Sequence, residues 1–246
     1  MPNPQIDEAV LEKLRKYDTP TVCNVIELFE VRPQTEGYMD QRIQACFPEM
    51  GPICGYASTA TFRSAVAPHS SGAYGSLDDQ VARLSEIPGP PIVVVQDLDE
   101  PTKSATFGEV MCSTYKAFGA QGLITSGAAR DLDQVRAIGF PCFSNGVNPS
   151  HGWPQLLEFN IPISSGGLAV YPGDLIHADQ NGVTNIPIEI AAEVADLCDE
   201  FIAAEEVVIS YCRAGNVTVA GFSEARQELG RRAKEMRKRV GRKSSV

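Results

Sequence analysis

Apolar runs that suit buried strands alternate with amphipathic runs that suit helices through the middle of the chain. The clearest apolar run, Ile92–Val95, lies between two prolines and an aspartate, and Gly122–Thr125 is a second short one. Helical patterns follow each run, over Thr106–Phe118 and Asp131–Ile138, and each pattern ends at a glycine. This alternation is typical of an α/β fold with parallel crossovers.

The flanking segments indicate further elements on both sides of this region. Thr19-Pro20 places a cap residue before a proline and predicts a helix that runs to Phe29. A strand is expected around Tyr56–Phe62, and Pro141–Ser144 continues the sheet. Asn181-Gly182 is a strong signal for a β-hairpin. We therefore expect a parallel central part with antiparallel hairpins late in the chain.

The last part of the chain is predicted to be helical. A long helix is expected from Pro187 to about Glu206, and a basic helix over roughly Ser223–Arg239. We predict one α/β domain over residues 1–207 and a C-terminal extension over residues 208–246.

Composition narrows the classes of protein to consider. The chain has 246 residues, of which 43% are hydrophobic and 21% charged, as is usual for a globular protein. No run approaches the ~18 apolar residues of a membrane span, and the start lacks a signal-peptide pattern. Seven cysteines without a CxxC pair indicate reduced thiols. We expect a cytoplasmic protein without a zinc site.

The net charge of −10 is unevenly distributed. Residues 223–246 carry nine Lys/Arg and three Glu, whereas residues 1–222 carry 12 basic and 28 acidic residues. An acidic body repels phosphate backbones, so nucleic-acid binding is not expected. The basic segment is expected to dock on the acidic surface of a neighbouring subunit or to be solvated.

The segment TFGEVMCSTYKAFG has two interpretations. Glu109 lies three residues after Thr106, as in a capping box that only closes the end of a helix. Alternatively, with Gly108 in the first turn, the N–H groups from Glu109 to Met111 are accessible at the positive end of the helix. Such a terminus binds carboxylates and enolates.

The segment GLITSGAARDLDQVRAIG also has two interpretations. Asp131 can be an N-cap, with Gln134 completing the box, and Arg130 a solvated loop residue. Alternatively, Arg130 and Asp131 follow a buried strand, and ligands of α/β sheets bind beyond the carboxyl ends of strands.

Both segments together would place an acid, a helix N-terminus, a guanidinium and a second carboxylate in one crevice. A guanidinium binds a substrate carboxylate through two parallel hydrogen bonds. One or two carboxylates with waters suit Mg²⁺. A metal ion beside a 2-oxo acid polarises its carbonyl and stabilises the enolate formed when a C–C bond breaks.

Several segments of the chain match segments of a known protein family, and they occur in the same order as in that family. They are TPTVCNVI, IVVV, FGEVM, AFGAQGLITSGAARD, FPCF and GGLAVYPGDLIHADQNGV, over about residues 19–190. The lyase members of that family have an acidic residue, twenty intervening residues and then Arg-Asp. In this chain the corresponding residues are Glu109 and Arg130-Asp131. The chain thus resembles the RraA-like family. That family includes class II pyruvate aldolases acting on 4-hydroxy-4-methyl-2-oxoglutarate and 4-carboxy-4-hydroxy-2-oxoadipate, regulators of ribonuclease E activity, and members labelled dimethylmenaquinone methyltransferases.

The resemblance implies a role for each matching residue. Asp131 would hold Mg²⁺ (or Mn²⁺), and Arg130 would bind the pyruvyl carboxylate and stabilise the enolate. Glu109 would orient a metal-bound water, and the backbone around Gly108, Val110 and Met111 would receive the substrate carboxylate. The implied activity is that of a lyase that releases pyruvate, a 4-hydroxy-2-oxo acid aldolase that also decarboxylates oxaloacetate.

The resemblance also implies a layered sandwich of the swivelling β/β/α type and a homo-oligomer, either a trimer or a hexamer. Its sites would lie between subunits, and we expect Glu200, Glu205 or Glu206 to approach the metal site of a neighbour. The family commonly has Asp-Gly where this chain has Ser126-Gly127, and an acidic residue near Asn24. The half of the substrate beyond the pyruvyl group therefore stays open.

Two other classes of function compete with the lyase. A non-catalytic regulator that binds a protein partner is the alternative to the lyase, although a regulator does not need the acid and Arg-Asp set. A methyltransferase needs a glycine-rich nucleotide loop after an early strand, and none is present in this sequence.

The remaining candidate side chains are assigned structural roles. His69 is expected to be a loop residue, and His151 and His177 lack partners at ligand spacing. Cys112 is expected in the core, because no base accompanies it. Asp179 is interpreted as a turn residue.

Overall fold

The computed structural model describes residues 6–68 and 76–242. Its helices are α1 (Glu8–Leu14), α2 (Thr19–Phe29), α3 (Leu77–Arg83), α4 (Glu109–Ala117), α5 (Leu132–Ala137), α6 (Ala191–Arg213) and α7 (Val219–Val240). Its strands are β1 (Gln44–Ala45), β2 (Ile53–Arg63), β3 (Pro91–Asp97), β4 (Ala105–Phe107), β5 (Gly122–Thr125), β6 (Ala128–Ala129), β7 (Cys142–Ser144), β8 (Gln155–Phe159), β9 (Ile163–Ser165), β10 (Leu168–Val170), β11 (Leu175–Asp179) and β12 (Gly182–Ile186). Short 3₁₀ turns occupy Leu84–Glu86 and Ile188–Ile190.

The main sheet has the strand order β1-β7-β5-β3-β2-β11-β12, and β8 pairs with β2 beside it. Strands β2, β3, β5 and β7 are parallel, whereas β1, β8, β11 and β12 pair antiparallel with their neighbours. Two small sheets accompany it, the antiparallel pair β9–β10 and the parallel pair β4–β6. The predicted α/β class, with a parallel centre and late antiparallel hairpins, is confirmed.

The apolar run of β3 explains its central place. Val93 and Val95 pack into one hydrophobic cluster, and Ile92 and Val94 pack into a second one. Successive side chains of a strand point to opposite faces of the sheet, so a strand that is apolar at every position needs cover on both faces. The sheet therefore has a core on each side, and the polar residues that follow its parallel strands are the ones available for chemistry.

One detail of the prediction is wrong, and the predicted hairpin is confirmed with its turn one residue earlier than Asn181-Gly182. Thr106 does not cap a helix: it is a buried residue of β4, which pairs with β6, and α4 begins only at Glu109. The hairpin turn consists of Gln180 and Asn181, because Gly182 already pairs with Asp179. In both places the residue type matched the signal, but strand pairing moved the boundary of the element.

The chain divides into two compact units, one of residues 1–19 and 37–188 and the other of residues 20–36 and 189–246. The predicted boundary between residues 207 and 208 falls inside α6, which continues to Arg213. The division into a family domain over residues 1–207 and an extension over residues 208–246 stays a prediction.

The second unit is helical, and α6 packs along α7. Residues of α6 such as Val194, Cys198 and Phe201 are buried, as is Met236 of α7. The basic segment was expected to dock on a neighbour or to be solvated, but several of its arginines pair with carboxylates of this same unit, for example Arg239 with Glu200. Within residues 6–68 and 76–242, no helix combines the length and the apolar character needed to cross a membrane.

Candidate active site

The small sheet β4–β6 brings the two predicted segments together. Ala105 pairs with Ala128, and Phe107 pairs with Ala129, with the two strands running in parallel. A helix begins shortly after each strand: one residue separates β4 from α4, and two residues separate β6 from α5. Parallel pairing therefore places the two helix starts side by side, and Glu109 lies next to Arg130 and Asp131 as predicted.

Asp131 has an unusual backbone and an unexpected partner. Its φ of 56° and ψ of 40° lie in the left-handed region, and it precedes α5 without capping that helix through its side chain. Instead, its Oδ2 accepts the N–H of Glu109 at 3.1 Å, the first residue of α4. The interpretation of Asp131 as the N-cap of its own helix with Gln134 is therefore wrong, because its side chain closes the neighbouring helix.

Gly108 is required by this close approach. A Cβ at this position would lie 2.5 Å from Oδ2 of Asp131 and 3.0 Å from Nε of Arg130. The φ of −157° is ordinary extended backbone, so the requirement comes from space alone. Any larger residue at position 108 must displace the carboxylate or the guanidinium.

The side chain of Arg130 lines the crevice, with only 26% of its surface exposed. Its backbone N–H donates to the carbonyl of Phe107 at 3.3 Å, and its Nε lies 3.8 Å from Oδ2 of Asp131. The interpretation of Arg130 as a solvated loop residue is therefore wrong. The guanidinium is held at the wall of the crevice, where it can meet an anion.

The N-terminus of α4 offers two further donors. Gly108 is the cap residue and has no side chain to satisfy the first turn. The N–H of Glu109 is taken by Asp131, and that of Cys112 by the carbonyl of Gly108. Among the partners that the structure describes, the amides of Val110 and Met111 have no acceptor. Such amides at the positive end of a helix attract carboxylates and enolates.

The crevice is lined by Ala105, Thr106, Phe107, Gly108, Val110, Met111, Arg130, His151 and Pro154. His151 was assigned a structural role because no partner stands at ligand spacing, yet it lies on the crevice wall with Arg130. Its position in the sequence could have indicated this place, because the loop that contains His151 follows β7, the next parallel strand after β5. Glu109 is exposed at the start of α4 and does not belong to the lining.

A second, more polar pocket lies where the parallel strands β3, β5 and β7 end. Asp97, the last residue of β3, lines it together with Ser126 and Asn145, which directly follow β5 and β7. Ser126, a departure from the family pattern, accepts the backbone N–H of Asp97 at 2.9 Å. Within residues 6–68 and 76–242, Oδ2 of Asp97 is buried without a hydrogen-bond partner, and burial raises the pKa of this carboxyl. The acidic lining disfavours a negatively charged 2-oxo acid here.

His177 has the structural role that was predicted. It is fully buried, its Nε2 donates to the carbonyl of Leu14 at 3.1 Å, and its Nδ1 lies 2.9 Å from the hydroxyl of Thr19. Burial lowers the pKa of this imidazole. The ring links three separate segments of the chain and is out of reach of a substrate.

The other side chains that were set aside also fit their predicted roles. Cys112 is buried in the core, with its sulfur 3.7 Å from that of Cys142. Asp179 accepts the N–H of Asn181 at 2.8 Å, which is turn chemistry. His69 lies outside the described residues.

Asp131 and Glu109 are the residues that fit a divalent cation. The described residues contain no group of three or more His, Cys, Asp or Glu that could enclose a metal ion. Asp131, however, uses only Oδ2 in the bond to Glu109, and its Oδ1 has no hydrogen-bond partner within residues 6–68 and 76–242. Mg²⁺ keeps several waters and is usually held through one or two carboxylates and the substrate. This donor set suits such a site and does not suit an all-protein cage.

Comparison with solved structures shows a shared fold. An uncharacterized protein from Pseudomonas syringae pv. tomato matches with a TM-score of 0.71 and 22% identity, over 92% of this chain and 97% of that one. Streptomyces coelicolor RraAS2, described as an unusual member of the RNase ES inhibitor RraA protein family, matches with a TM-score of 0.66 and 22% identity. That match covers 83% of this chain and 98% of that one.

Comparison of sequences shows the family. A protein of Halalkalibacterium halodurans named "Putative 4-hydroxy-4-methyl-2-oxoglutarate aldolase" is 35% identical over 96 residues, which are 39% of this chain and 46% of that relative. The match thus spans about half the length of the relative. The RraA-like family model, described as Aldolase/RraA, matches residues 19–184. This range includes all the lining residues of the crevice named above. The chain belongs to the RraA-like family.

Proposed function

We propose that the chain is a divalent-metal-dependent lyase that cleaves a C–C bond of a 2-oxo acid and releases pyruvate through an enolate. One observation carries this proposal: Arg130, Val110 and Met111 line one crevice, and Oδ2 of Asp131, which lies beside it, is fixed by the N–H of Glu109. This combination provides a cation ligand, a carboxylate receptor and a stabiliser of negative charge.

The chain's own groups bind the pyruvyl half of the substrate. The amides of Val110 and Met111 receive the carboxylate at the N-terminus of α4. The guanidinium of Arg130 offers only hydrogen-bond donors and faces the oxygen on which the enolate charge develops. Because its side chain is largely buried against the crevice wall, little reorganisation is needed when that charge forms.

Asp131 would hold Mg²⁺ or Mn²⁺ through its carboxylate, and Glu109 would orient a water of the ion. When bound, the cation polarises the C2 carbonyl of the substrate. Asp131 keeps its position through the N–H of Glu109, and Gly108 leaves the space for it. The chain therefore prepares the carboxylate for a cation independently of the substrate.

The crevice and the named relative support the proposed substrate class. A 4-hydroxy-2-oxo acid would lose its distal half as a carbonyl compound, and oxaloacetate would lose carbon dioxide, with the same pyruvyl enolate formed in both reactions. The H. halodurans relative is named for such an aldolase. We propose 4-hydroxy-2-oxo acid cleavage as the main reaction and oxaloacetate decarboxylation as the accompanying one.

The test is pyruvate release from oxaloacetate and from 4-hydroxy-2-oxo acids, coupled to lactate dehydrogenase, with Mg²⁺ and with EDTA. We expect turnover with Mg²⁺, loss of turnover with EDTA, and its return when Mg²⁺ or Mn²⁺ is added in excess. Calorimetric titration of Mn²⁺ into the protein gives a readout independent of turnover. Absence of pyruvate from every substrate, together with absence of Mn²⁺ binding, would exclude the proposal.

A non-catalytic regulator that binds a protein partner is the second candidate. Apolar side chains near the crevice are exposed, namely Val110, Val147 and Trp153, at 64%, 68% and 55% of their surface. Such side chains are common where proteins meet. This candidate predicts no pyruvate release, so the same assay separates it from the lyase.

We also propose that the protein is a homo-oligomer, a trimer or a hexamer. The exposed apolar side chains near the crevice would be covered in such an assembly. Glu200 and Glu206 already pair within the chain, with Arg239 and Arg213, so either would have to exchange its partner to approach a neighbouring site. Light scattering at micromolar concentration gives the mass, and a monomer would contradict the proposal.

A further inference from the structure

His151 occupies a fixed position in the crevice. The carbonyl of Ser150 accepts the N–H of Ala105 at 2.7 Å, and the N–H of Trp153 donates to the carbonyl of Ser64 at 2.9 Å. Gly152 has a φ of +52°, and a Cβ there would lie 2.8 Å from the same carbonyl of Ser64. The backbone on both sides of His151 is therefore tied to neighbouring strands, which preorganises the ring next to Arg130.

The hydrogen bond of the ring defines its tautomer. Nδ1 of His151 lies 2.9 Å from the carbonyl oxygen of Gly152. A carbonyl oxygen can only accept, so Nδ1 carries the hydrogen. In the neutral ring Nε2 is then the basic nitrogen. This arrangement, a backbone carbonyl on Nδ1 and a basic Nε2, is how general-base histidines are commonly held.

Other side chains of the crevice are unsuited to accept a proton. The guanidinium of Arg130 has donors and no acceptor, and the hydroxyl of Thr106 is too weak a base. Asp131, beside the crevice, is the cation ligand of the proposed function, and its Oδ2 accepts the N–H of Glu109. Among the lining residues that the structure describes, His151 is the one that carries an imidazole, the side chain that most often serves as a general base.

We propose, on the basis of the proposed function, that His151 is the catalytic base that starts cleavage of 4-hydroxy-2-oxo acids. Nε2 takes the proton of the C4 hydroxyl, and the electron pair of that O–H bond forms the C4 carbonyl. The C3–C4 bond breaks, and its electron pair passes to C2–C3 and the C2 oxygen, which gives the enolate beside Arg130. The imidazolium then returns the proton to C3, so pyruvate leaves and His151 is neutral again.

Oxaloacetate separates this role from the rest of the site. Its C4 is a carboxylate, so carbon dioxide leaves without removal of a hydroxyl proton, whereas the same enolate forms. Replacement of His151 should therefore affect cleavage of the hydroxy acid and spare decarboxylation. A residue that only supports the fold of the crevice would affect both reactions together.

The variants are His151→Asn, which keeps a donor for the carbonyl of Gly152, and His151→Gln, which keeps a polar group near the place of Nε2. For both we expect kcat on a 4-hydroxy-2-oxo acid to fall by about 10²–10⁴-fold, the usual contribution of general-base catalysis, and kcat on oxaloacetate to change by less than about tenfold. Imidazole added to His151→Ala should restore part of the cleavage activity.

Two controls accompany these variants. Asn148→Ala removes the side-chain bonds that Asn148 makes to the N–H of Ser150 and to the carbonyl of Lys103, so it loosens the same loop and should lower both activities in parallel. Oxalate, which resembles the pyruvate enolate, should bind to His151→Asn as tightly as to the wild type by calorimetry, because oxalate has no C4 hydroxyl proton for His151 to accept.

The outcomes distinguish this proposal from the proposed function. Equal loss on both substrates, or no loss on the hydroxy acid, would overturn the role of His151 and leave the lyase standing. The same would follow if Glu109→Gln, and not the His151 variants, separated the two reactions, or if the wild type decarboxylated oxaloacetate but cleaved no hydroxy acid. A wild type inactive on both substrates would overturn both proposals.

Discussion

The crevice at β4–β6 and the helical pair α6–α7 both contain charged side chains, but they hold them differently. In the helical pair, charges pair with one another on the surface: Arg231 reaches both Glu228 and Glu235, and Arg239 reaches Glu200. In the crevice, backbone groups hold the charges instead. Asp131 is fixed by an amide, and the segment of Arg130 by a carbonyl.

The difference shows which charges can act on a ligand. Arg239 and Glu200 are each about half exposed, and such pairs usually contribute only about 0.2–1 kcal/mol to stability. Their charges already offset each other. In the crevice Asp131 adopts a left-handed backbone, a conformation that costs free energy and that is found preferentially at functional sites. A few charges oriented by the backbone therefore indicate a site better than many charges paired on a helix.

The largest expected effect is that of Arg130→Ala. It removes the guanidinium that faces the substrate carboxylate and the enolate, so kcat should fall by about 10²–10³-fold, roughly 3–4 kcal/mol. Excess Mg²⁺ should not restore the rate, because the metal ligand is intact. Steady-state kinetics on oxaloacetate at several Mg²⁺ concentrations provide the measurement.

Arg130→Lys is the matched control, because it keeps the charge but loses the planar fork that binds a carboxylate through two bonds. Its activity should lie between those of the wild type and Arg130→Ala. If Arg130→Ala retained wild-type kinetics and only lowered the thermal midpoint, Arg130 would belong with the surface charges of α6–α7.

Asp131 is expected to have the next largest effect, on cation binding. Asp131→Asn keeps an acceptor for the N–H of Glu109 but loses the charge, so Mn²⁺ affinity should fall while stability is retained. Asp131→Ala should also lose the cap, about 1 kcal/mol, and carries the cost of alanine in a left-handed conformation, roughly 1–2 kcal/mol. Calorimetric Mn²⁺ titration and urea unfolding measure the two effects separately.

Raised Mg²⁺ should recover part of the activity of Asp131→Asn, in contrast to Arg130→Ala. If both Asp131 variants bound Mn²⁺ like the wild type, and only the alanine variant were less stable, Asp131 would be a helix cap and not a metal ligand.

The sequence predicted the parallel centre well, for a physical reason. β3 and β5 are continuous apolar runs because both faces of the sheet are covered, and such runs stand out from their polar surroundings. The spacing from Glu109 to Arg130-Asp131 was equally visible. β4 and β6 were missed, since strands of three and two residues are too short to show an alternation.

The contacts inside the crevice could not be predicted from local patterns. A cap residue is recognised by its distance from its own helix, but Asp131 closes a helix that begins 22 residues earlier in the chain. His151 lies in an irregular loop, where neither periodicity nor ligand spacing gives a signal. Both contacts depend on the pairing of β4 with β6 and on the loop bonds to neighbouring strands, which are long-range features.

Gly108→Ala tests whether space is critical in the crevice. The added methyl group would lie 2.5 Å from Oδ2 of Asp131, so the carboxylate must move and the bond to Glu109 must weaken. We expect Mn²⁺ affinity and activity to fall by about 10–100-fold, as is typical when the support of a metal ligand is lost. Stability should change little, because the extended backbone of residue 108 suits alanine.

Gly51→Ala is the matched control for this substitution, because beyond the two chain neighbours no atom of the described residues lies within 4 Å of the added Cβ. It should leave both metal binding and activity unchanged. Wild-type behaviour of Gly108→Ala would show that the carboxylate has freedom to move, and would weaken the assignment of Asp131 as a preorganised ligand.

The smallest effect is expected in the helical pair, from Arg239→Ala. Its partner Glu200 stays half exposed and solvated, so no buried charge is left behind, and the free energy of unfolding should fall by only about 0.2–1 kcal/mol. A double-mutant cycle with Glu200→Ala gives the coupling between the two side chains without their other contacts. Activity on oxaloacetate and the mass in light scattering should both match the wild type, because an ion pair within one chain needs no neighbour. A lower mass for Arg239→Ala would show instead that the basic face of α7 takes part in assembly, and the charges of the helical pair would then have a function that their exposure does not reveal.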